Sequence, residues 1–230
     1  MNICLCSAFR DSCEYLQRYL AQVTALDEVL HARGDKLSFV WGEGDSTDHT
    51  RRTLNAARFR FNAVVVDCSH GGTVFDSVVV AERFRQLAHV GRCIFAEIPK
   101  TADVVVWVES DLVWQPETIV GLIDRLGDDV AAVAPSIILH RDGWPSNTWY
   151  DTHCYYTADG KHFKHRPPYH VANTGGMMEM GSVGSCVAMD AVLARAVTID
   201  ERVIMGICED IRKMGGRIWY DPTLPAIVHH

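Results

Sequence analysis

The feature that most constrains the fold of this chain is a repeated alternation of apolar runs with segments of helical spacing. Continuous apolar runs at 3–8, 37–41 and 62–68 are separated by stretches in which apolar residues recur every three or four positions. A β-α-β-α-β order of this kind predicts a parallel sheet with helices on both of its faces. Two further apolar runs, 103–110 and 129–139, extend the regular α/β pattern to about residue 139.

Length, composition and charge exclude several classes of protein. The chain has 230 residues, of which 48% are hydrophobic and 22% charged, and this suits a single domain over residues 1–230. The formal net charge of −7 provides no overall positive field for nucleic acid or anionic membranes, although a local basic patch stays open. No apolar run approaches the roughly 18 to 20 residues of a membrane span, and the first residues lack a signal-peptide pattern. We therefore expect a cytoplasmic protein.

The eight cysteines lie mostly in apolar surroundings and never form a CxxC pair. Zinc ribbons and thioredoxin-like sites depend on such pairs, so neither site is indicated. Reduced thiols in the core are the expected state, and they agree with an intracellular compartment.

Residues 140–170 interrupt the regular pattern. The segment has neither helical nor strand periodicity, but it contains seven aromatic residues and five histidines. A long irregular segment within a compact domain is usually a binding loop or lid, whereas a small β-ribbon or a self-packed loop is the structural alternative. The basic residues interleaved with its aromatics are Arg141, Lys161, Lys164 and Arg166.

Polar clusters follow the first four apolar runs. They are Ser7–Arg10, Glu43–Asp48, Asp67–Gly72 and Glu109–Asp111. In an open parallel sheet, ligands bind beyond the carboxyl ends of the strands, where the loops converge. We therefore expect these four clusters to share one edge of the sheet and to form the site.

Glu109 and Asp111 stand two residues apart where a buried strand gives way to a turn. Two such carboxylates can bind one hard divalent cation, and magnesium completes its shell with water and phosphate oxygens. The spacing therefore suits a diphosphate-bearing substrate. The alternative is that both acids cap the helix predicted to begin at Pro116.

Five segments, in order, resemble the motifs of GT-A glycosyltransferases. SAFRDSCEYLQRYLAQVTAL resembles the opening strand, loop and helix, and GEGDSTDHT resembles the D-D-G-S-x-D-x-T turn. VVWVESDLVW stands in place of the DxD motif, GSVGSCVAMDAVLARAV resembles the glycine-rich acceptor segment, and CEDIRKMGGRIWYDP closely resembles the terminal signature. The resemblance implies a three-layer, Rossmann-like GT-A fold with a mostly parallel sheet. It divides the domain into a nucleotide-binding half, 1–139, and an acceptor-binding and metal-completing half, 140–230.

The resemblance implies a UDP-sugar or GDP-sugar donor. Glu43 matches the acid that meets the nucleotide base, and Asp48 alternatively caps the next helix. Arg92 occupies the approximate place of a donor-contacting arginine, and a surface arginine is the alternative reading. The residues that the resemblance places at the donor are Ser7, Arg10, Glu43, Asp45, Asp48, Arg92 and Ser110.

The resemblance also implies a divalent cation, Mn²⁺ or Mg²⁺. Asp111 would bind it directly, and Glu109 would contact the ribose or support the metal. His229 is the expected further ligand, with His230 as the rival and a disordered terminus as the alternative to both. An imidazole ligand favours manganese over magnesium.

Asp210 is implied as the general base of an inverting transfer, with its neighbour Glu209 as the other candidate. The structural alternative is a pair of acids favoured by a helix dipole. The chain resembles the inverting synthase-like branch most closely, but also the retaining fungal-type mannosyltransferases with their E-x-x-S-x-D turn, so both stereochemical outcomes stay open. ESD in place of DxD and E-G-D in place of D-D-G are departures from the family pattern.

The acceptor is expected to contact Trp144, Trp149 and Gly184. Aromatic faces stack on sugar rings or on bases, so a glycan or small glycoside is the first expectation and a hydroxylated base of modified DNA the alternative. The net charge of −7 opposes the second choice. A nucleotidyltransferase is less compatible, because SAFRDS lacks the glycines of a phosphate loop, and a non-catalytic nucleotide-sugar-binding module is the remaining alternative.

Overall fold

The computed structural model describes residues 1–75, 78–163 and 176–229, and most of its strands form one large sheet. Nine strands pair in the order β3-β2-β1-β4-β9-β5-β10-β8-β7. Their bounds are β1 Asn2–Phe9, β2 Lys36–Glu43, β3 Ala63–Asp67, β4 Val104–Val108, β5 Ala132–Pro135, β7 Tyr156–Thr157, β8 Met178–Ser182, β9 Cys186–Asp190 and β10 Ile218–Asp221. A second sheet pairs β6, Ile137–Leu139, with β11, Ile227–His229.

Six helices of the described ranges flank the large sheet. They are α1 Cys13–Ala32, α2 Thr50–Ala57, α3 Ala81–Ala96, α4 Pro116–Arg125, α5 Ala191–Ala196 and α6 Val203–Lys213. Helices α1 and α4 pack against each other, while α3, α5 and α6 contact one another. This arrangement confirms the predicted α/β class with helices on both faces of a sheet.

Strand direction agrees with the prediction in the first half of the chain and departs from it in the second. Strands β1, β2, β3 and β4 are parallel, as are β5 and β10. Strand β9 runs antiparallel between β4 and β5, and β8 runs antiparallel to β10. The sheet is therefore mostly parallel with two reversed strands, both of which follow the irregular segment in the sequence.

The core lies where the apolar runs cross the middle of the sheet. Leu5 of β1 and Val105 and Val106 of β4 are fully buried. Each such side chain contributes about 1.5 to 3 kcal/mol of transfer free energy. Tyr19 and Trp41 are also fully buried, and the indole N–H of Trp41 donates to the Tyr19 hydroxyl at 3.1 Å.

The described part of the irregular segment supplies its own aromatic core. Trp149 is 6% exposed, and its ring lies 5.0 Å from Phe163 and 5.4 Å from Tyr220. Tyr155 packs against the same three rings. Lys164 and Arg166, two of the basic residues interleaved with the aromatics of this segment, lie outside the described residues.

The small sheet brings the end of the chain to the end of β4. Val113 and Val228 exchange two backbone hydrogen bonds of 2.8 and 2.9 Å. Strand β11 pairs in parallel with β6, so that His229 lies opposite Leu139. This pairing places a residue near the C-terminus beside the turn that follows β4.

In the described ranges, none of the helices combines the length and apolar character needed to cross a bilayer. All eight cysteines are free, and Cys13 alone among them is exposed. Six of the eight are buried, in agreement with the expected core thiols.

Candidate functional site

Asp111 and His229 come together beyond the carboxyl end of β4. Nε2 of His229 lies 3.1 Å from Oδ2 of Asp111, although the two residues are 118 positions apart. The ring of Tyr150 stacks on the imidazole of His229, with centroids 4.0 Å apart and an angle of 9° between the planes. The stacked ring orients Nε2 towards the carboxylate.

The separation of these two atoms suits a divalent cation. Adjacent ligands of an octahedral ion with bonds of about 2.1 Å lie about 3 Å apart, and the carboxylate oxygen and imidazole nitrogen are 3.1 Å apart. Nδ1 of His229 is buried and has no partner among the described groups, so no protein hydrogen bond competes for the orientation of the ring. Asp111 and His229 therefore fit two positions of one coordination shell.

The predicted set of three ligands is not assembled in the part of the chain that the structure describes. No group of three or more His, Cys, Asp or Glu side chains there is arranged to hold a metal ion. Glu109 faces a neighbouring cavity instead, and His230 lies outside the described residues. Any cation at Asp111 and His229 would thus need substrate or water oxygens to complete its shell.

Glu109 lies at the polar end of a cavity of about 280 Å³. The Tyr150 hydroxyl donates to Oε2 of Glu109 over a long distance of 3.5 Å. Burial, together with the neighbouring charges of Asp111 and Asp151, raises the pKa of Glu109 to about 8. The cavity lies between β4, α3, α6 and residues 150–154.

Asp151 is the second carboxylate at this end of the cavity. Its Oδ2 accepts from the Ser185 hydroxyl at 2.5 Å, and its Oδ1 accepts from the backbone N–H of Cys154 at 3.3 Å. A Cβ atom at Gly184 would lie only 2.1 Å from Oδ2 of Asp151. Gly184, predicted to contact the acceptor, therefore provides the space in which Asp151 is held.

Ser7 and Ser110 join the two central strands. The Ser7 hydroxyl donates to the carbonyl of Val108 at 2.7 Å and accepts from the Tyr19 hydroxyl at 3.0 Å. The Ser110 hydroxyl donates to the carbonyl of Ala8 at 2.6 Å. Both serines are buried. These predicted donor-binding residues therefore link β1 to the end of β4.

Asp48 connects the loop after β1 to the loop after β2. Its carboxylate accepts from the backbone N–H groups of Cys13 at 3.0 Å and Thr50 at 2.8 Å. Desolvation opposes the charged form, but the hydrogen bonds from Thr50 and Cys13 prevail and lower the pKa of Asp48 to about 2. Asp11 strengthens the same junction by accepting from Thr47 N at 2.7 Å.

Glu43 and Asp45 are also occupied by protein partners. Glu43 is 1% exposed and forms an ion pair with Arg51. Asp45 accepts from the backbone N–H groups of His70 and Gly71 at 2.9 and 3.0 Å, and these bonds lower its pKa. The acid predicted to meet the nucleotide base is thus enclosed in the protein.

Two arginines of the predicted donor site lie in different places. Arg10 donates from Nη2 to the carbonyl of Gly72 at 3.1 Å, while its buried Nε has no partner among the described groups. Arg92 donates to the carbonyl of Ile199 at 3.0 Å and borders a separate shallow depression beside Glu201. The cavity is lined instead by Arg83, one turn into helix α3.

Glu209 and Asp210 lie on α6, and neither lines the cavity. Glu209 forms ion pairs with Arg202 and with Lys213, the latter at 2.8 Å, and these partners lower its pKa. Oδ2 of Asp210 accepts from the backbone N–H of Thr198 at 3.0 Å. Helix α6 presents apolar side chains to the cavity, and the structure does not bring its acids together with Asp111.

The two tryptophans predicted to bind the acceptor also lie away from the cavity lining. Trp144 is half-buried beneath the guanidinium of Arg141, whose carbon lies 5.3 Å from the ring centroid. Trp149 belongs to the aromatic core of the irregular segment.

Several polar residues that line the cavity were missed by the sequence reasoning, among them Arg83, Tyr150, Asp151 and Ser185. Asp151 and Tyr150 stand in the irregular segment, where no periodicity distinguishes an inward from an outward side chain. Ser185 has a positive φ of 47°, which its glycine-rich surroundings could have suggested. Arg83 follows an apolar stretch, and a single arginine in that position matches no sequence motif.

No protein-family model matches the chain, and no curated protein matches it either. Among solved structures, the chain is similar to S. aureus TarS 1–349, with a TM-score of 0.58, 12% identity and coverage of 100% of this chain and 60% of that one. Similar values hold for TarS 1–349 in complex with UDP-GlcNAc, with a TM-score of 0.57, 12% identity and coverage of 100% and 59%. For the complex with UDP, the TM-score is 0.59, the identity 11% and the coverage 99% and 60%.

These likenesses concern the fold. The chain has a GT-A-like α/β fold, and it spans about 60% of the length of the TarS 1–349 chains to which it is similar.

Proposed function

We propose that this chain is a glycosyltransferase that moves a sugar from a UDP-sugar to an acceptor hydroxyl, with a divalent cation held by Asp111 and His229. The observation that carries the proposal is the 3.1 Å approach of the Asp111 carboxylate to the His229 imidazole, which stacks on Tyr150 in the lining of the cavity. The choice of UDP is supported by the shared fold with TarS, whose structures were solved in complex with UDP-GlcNAc and with UDP.

The diphosphate is proposed to lie beyond the carboxyl ends of β1 and β4. Arg10 follows β1, and its buried Nε–H lacks a protein acceptor among the described groups. A guanidinium is suited to charge-assisted hydrogen bonds with phosphate oxygens. A phosphate oxygen at Arg10 would satisfy this buried donor and orient the leaving group.

A cation bound at Asp111 and His229 would supply Lewis-acid stabilisation of the diphosphate as it departs. The imidazole ligand favours manganese, with magnesium as the second choice. The protein contributes the orientation: the Tyr150 ring stacks on His229, and the Val113–Val228 pairing holds β11 beside Asp111.

Two carboxylates are candidates for the general base. The resemblance points to Asp210, but the carboxylate of Asp210 binds Thr198 and does not line the cavity. Asp151 lines it and is oriented by Ser185 and Cys154. We assign Asp151 the base role: it takes the proton of the acceptor hydroxyl while that oxygen bonds to the anomeric carbon and the bond from carbon to diphosphate breaks, releasing UDP. A single displacement of this kind inverts the anomeric centre.

The proposal is tested by thermal-shift measurements with UDP, with and without Mn²⁺, followed by hydrolysis assays with a panel of UDP-sugars. A ligand at 100 times its Kd stabilises the folded protein by about 2.7 kcal/mol. The wild type should show a Mn²⁺-dependent shift with UDP, and Asp111→Ala should lose it. Glu117→Ala serves as the matched control, because Glu117 is an exposed acid at the start of α4.

The outcomes separate the candidate functions. Stabilisation by UDP and Mn²⁺ with slow release of sugar from one UDP-sugar supports a transferase. Stabilisation without turnover of any donor indicates a nucleotide-sugar-binding module. Absence of stabilisation by UDP in every metal condition refutes the proposal.

A further inference from the structure

We infer that the acceptor carries its reactive hydroxyl on an apolar body, aliphatic or aromatic, which occupies the cavity beside Glu109 and Asp151. This inference rests on the proposed function and names the substrate class of the same site. The acceptor expected from the resemblance was a glycan, and the walls of the cavity favour a different chemistry.

The walls of the cavity are built from apolar side chains of three elements. Helix α3, strand β4 and helix α6 contribute to it, and residue 199 in the loop before α6 closes one side. The larger apolar side chains that line it include Phe84, Phe95, Trp107, Ile199, Ile204 and Ile207.

One end of the cavity carries a cluster of acidic and hydroxyl side chains, and the other polar side chains that line it include Arg83, Thr152 and His153. Glu109, Asp151 and Ser185 lie together at that end, since Asp151 binds Ser185 and the backbone N–H of Glu109 donates to the Ser185 carbonyl at 2.9 Å. A single hydroxyl placed among them would find acceptors for its proton. The side chains that α6 and residue 199 contribute to the cavity are all apolar and provide no equivalent partners.

This distribution discriminates between acceptor classes. A sugar ring in the apolar part would leave several hydroxyls without hydrogen bonds, at a cost of about 1 to 3 kcal/mol each. An apolar body gains about 25 cal/mol for each Å² that it removes from water. The cavity volume of about 280 Å³ is large enough for a body about twice the size of benzene, which fills a cavity of about 150 Å³.

The surface around the cavity mouth provides a second, independent observation. Val78 and Val79 line the cavity and are 41% and 69% exposed, and Leu87 beside them is 37% exposed. Val80, the next residue along the chain, is 41% exposed. Concentrated exposed apolar surface marks binding sites on soluble proteins, and this patch continues directly into the cavity.

The test uses 2-naphthylmethanol, a primary alcohol on a bicyclic aromatic body, as the acceptor probe. A methyl glucoside presents the same primary hydroxyl on a polar body and is the matched comparison. Transfer is measured with the UDP-sugar that the wild type hydrolyses, and binding is measured separately by thermal shift with and without UDP. We expect 2-naphthylmethanol to stabilise the wild type and to be glycosylated, and the methyl glucoside to do neither.

Two exposed valines provide matched variants. Val79→Asn changes a 69% exposed residue at the mouth, and Val192→Asn changes a 67% exposed residue on α5 that does not line the cavity. Val79→Asn should raise the KM for 2-naphthylmethanol about tenfold, since it removes about 1.4 kcal/mol of apolar contact. Val192→Asn should leave it unchanged. Ile207→Phe, which fills the cavity, should abolish binding of the alcohol while UDP still stabilises the variant.

A further arm distinguishes a free acceptor from one embedded in a membrane. 1-Dodecanol is offered either in solution or within phosphatidylcholine vesicles. Transfer to either form supports the apolar acceptor, and the preferred form identifies its source.

The inference is wrong if the methyl glucoside is glycosylated and neither alcohol binds or reacts, or if Val79→Asn and Val192→Asn behave alike. Hydrolysis of a UDP-sugar by the same wild-type preparation would leave the proposed function intact in that case. If UDP neither binds nor is released, the proposed function alone fails. The thermal shift with 2-naphthylmethanol in the absence of nucleotide then still decides whether the cavity binds an apolar body.

Discussion

Two acidic clusters lie at the carboxyl ends of the strands, and they differ in the partners of their oxygens. In the loops after β1 and β2, Glu43 is paired with Arg51, while Asp45 and Asp48 accept from backbone N–H groups. At the end of β4, Asp111 contacts His229, and neither Glu109 nor Asp151 forms an ion pair with a described lysine or arginine. The acids of the first cluster stabilise the fold through these partners. The acids of the second cluster lie near one another.

The difference shows how acid-rich turns that look alike in a sequence can be distinguished. A carboxylate saturated by backbone N–H groups or an arginine stabilises the structure and has little capacity left for a ligand. A carboxyl whose pKa is raised by burial and by neighbouring acids, as that of Glu109 is beside Asp111 and Asp151, opposes folding and is typical of functional sites. The second cluster is therefore the candidate site of catalysis.

The largest effect is expected at Asp111. Asp111→Asn should reduce transfer about 10³-fold, or about 4 kcal/mol, because it removes a charged ligand of the proposed cation. The melting temperature should not fall, since one charge leaves a cluster of like charges. Steady-state assays and calorimetry on the same preparations check both parts, and a large loss of stability would show that Asp111 belongs with the structural acids.

The next effect separates the two candidate bases. Asp151→Asn should lower kcat at least about 10²-fold, as expected for loss of a general base, and Asp210→Asn should change it far less. Amide substitution keeps the size of the side chain, so the UDP-induced thermal shift should survive in both variants. The reverse order of effects would assign the base to Asp210, as the family resemblance implies.

A smaller effect, on stability, is expected in the first cluster. Arg51→Ala leaves the enclosed Glu43 carboxylate without its cation, and an unpaired buried group of this kind costs about 2 kcal/mol. Denaturant unfolding should show this loss, while Arg52→Ala, an exposed neighbour, should be close to wild type. Equal stability of the two variants would contradict a structural role for the pair.

The smallest effect is a pH dependence carried by Asp48. Its pKa is lowered in the fold from 3.8 to about 2, so its stabilising contribution is complete above pH 4 and is lost as the pH falls towards 2. Asp48→Asn should flatten the slope of unfolding free energy against pH in that window. The exposed Asp27→Asn on α1 provides the control, and an unchanged slope in Asp48→Asn would mean that its hydrogen bonds are not maintained in solution.

Much of the fold was predictable because apolar periodicity is local. The runs that became β1, β2, β3 and β4 were each recognisable from a few neighbouring residues, and their parallel pairing followed from the helices between them. The reversed strands β8 and β9 were not predicted, because they follow an irregular segment whose pairing depends on distant strands.

The site was predictable only in part. The structure brings Asp111 and His229, two of the three ligands expected from the resemblance, into contact, and the Val113–Val228 pairing accounts for this contact. Two features of the site could not be inferred, because no spacing rule relates residues that meet through tertiary packing. One is the ion pair of Glu43 with Arg51, eight positions later, and the other is the position of Asp151 beside Glu109.

The sequence by itself determined the class of fold and the edge of the sheet at which polar residues gather, because burial patterns and strand ends depend on residues that are neighbours in the chain. The tertiary structure alone decided which acids are saturated, which are left close together, and that an apolar cavity opens beside them. The physical reason is that residues far apart along the chain supply a hydrogen-bond partner, as Ser185 does for Asp151, or line one cavity together, as Trp107 and Ile207 do.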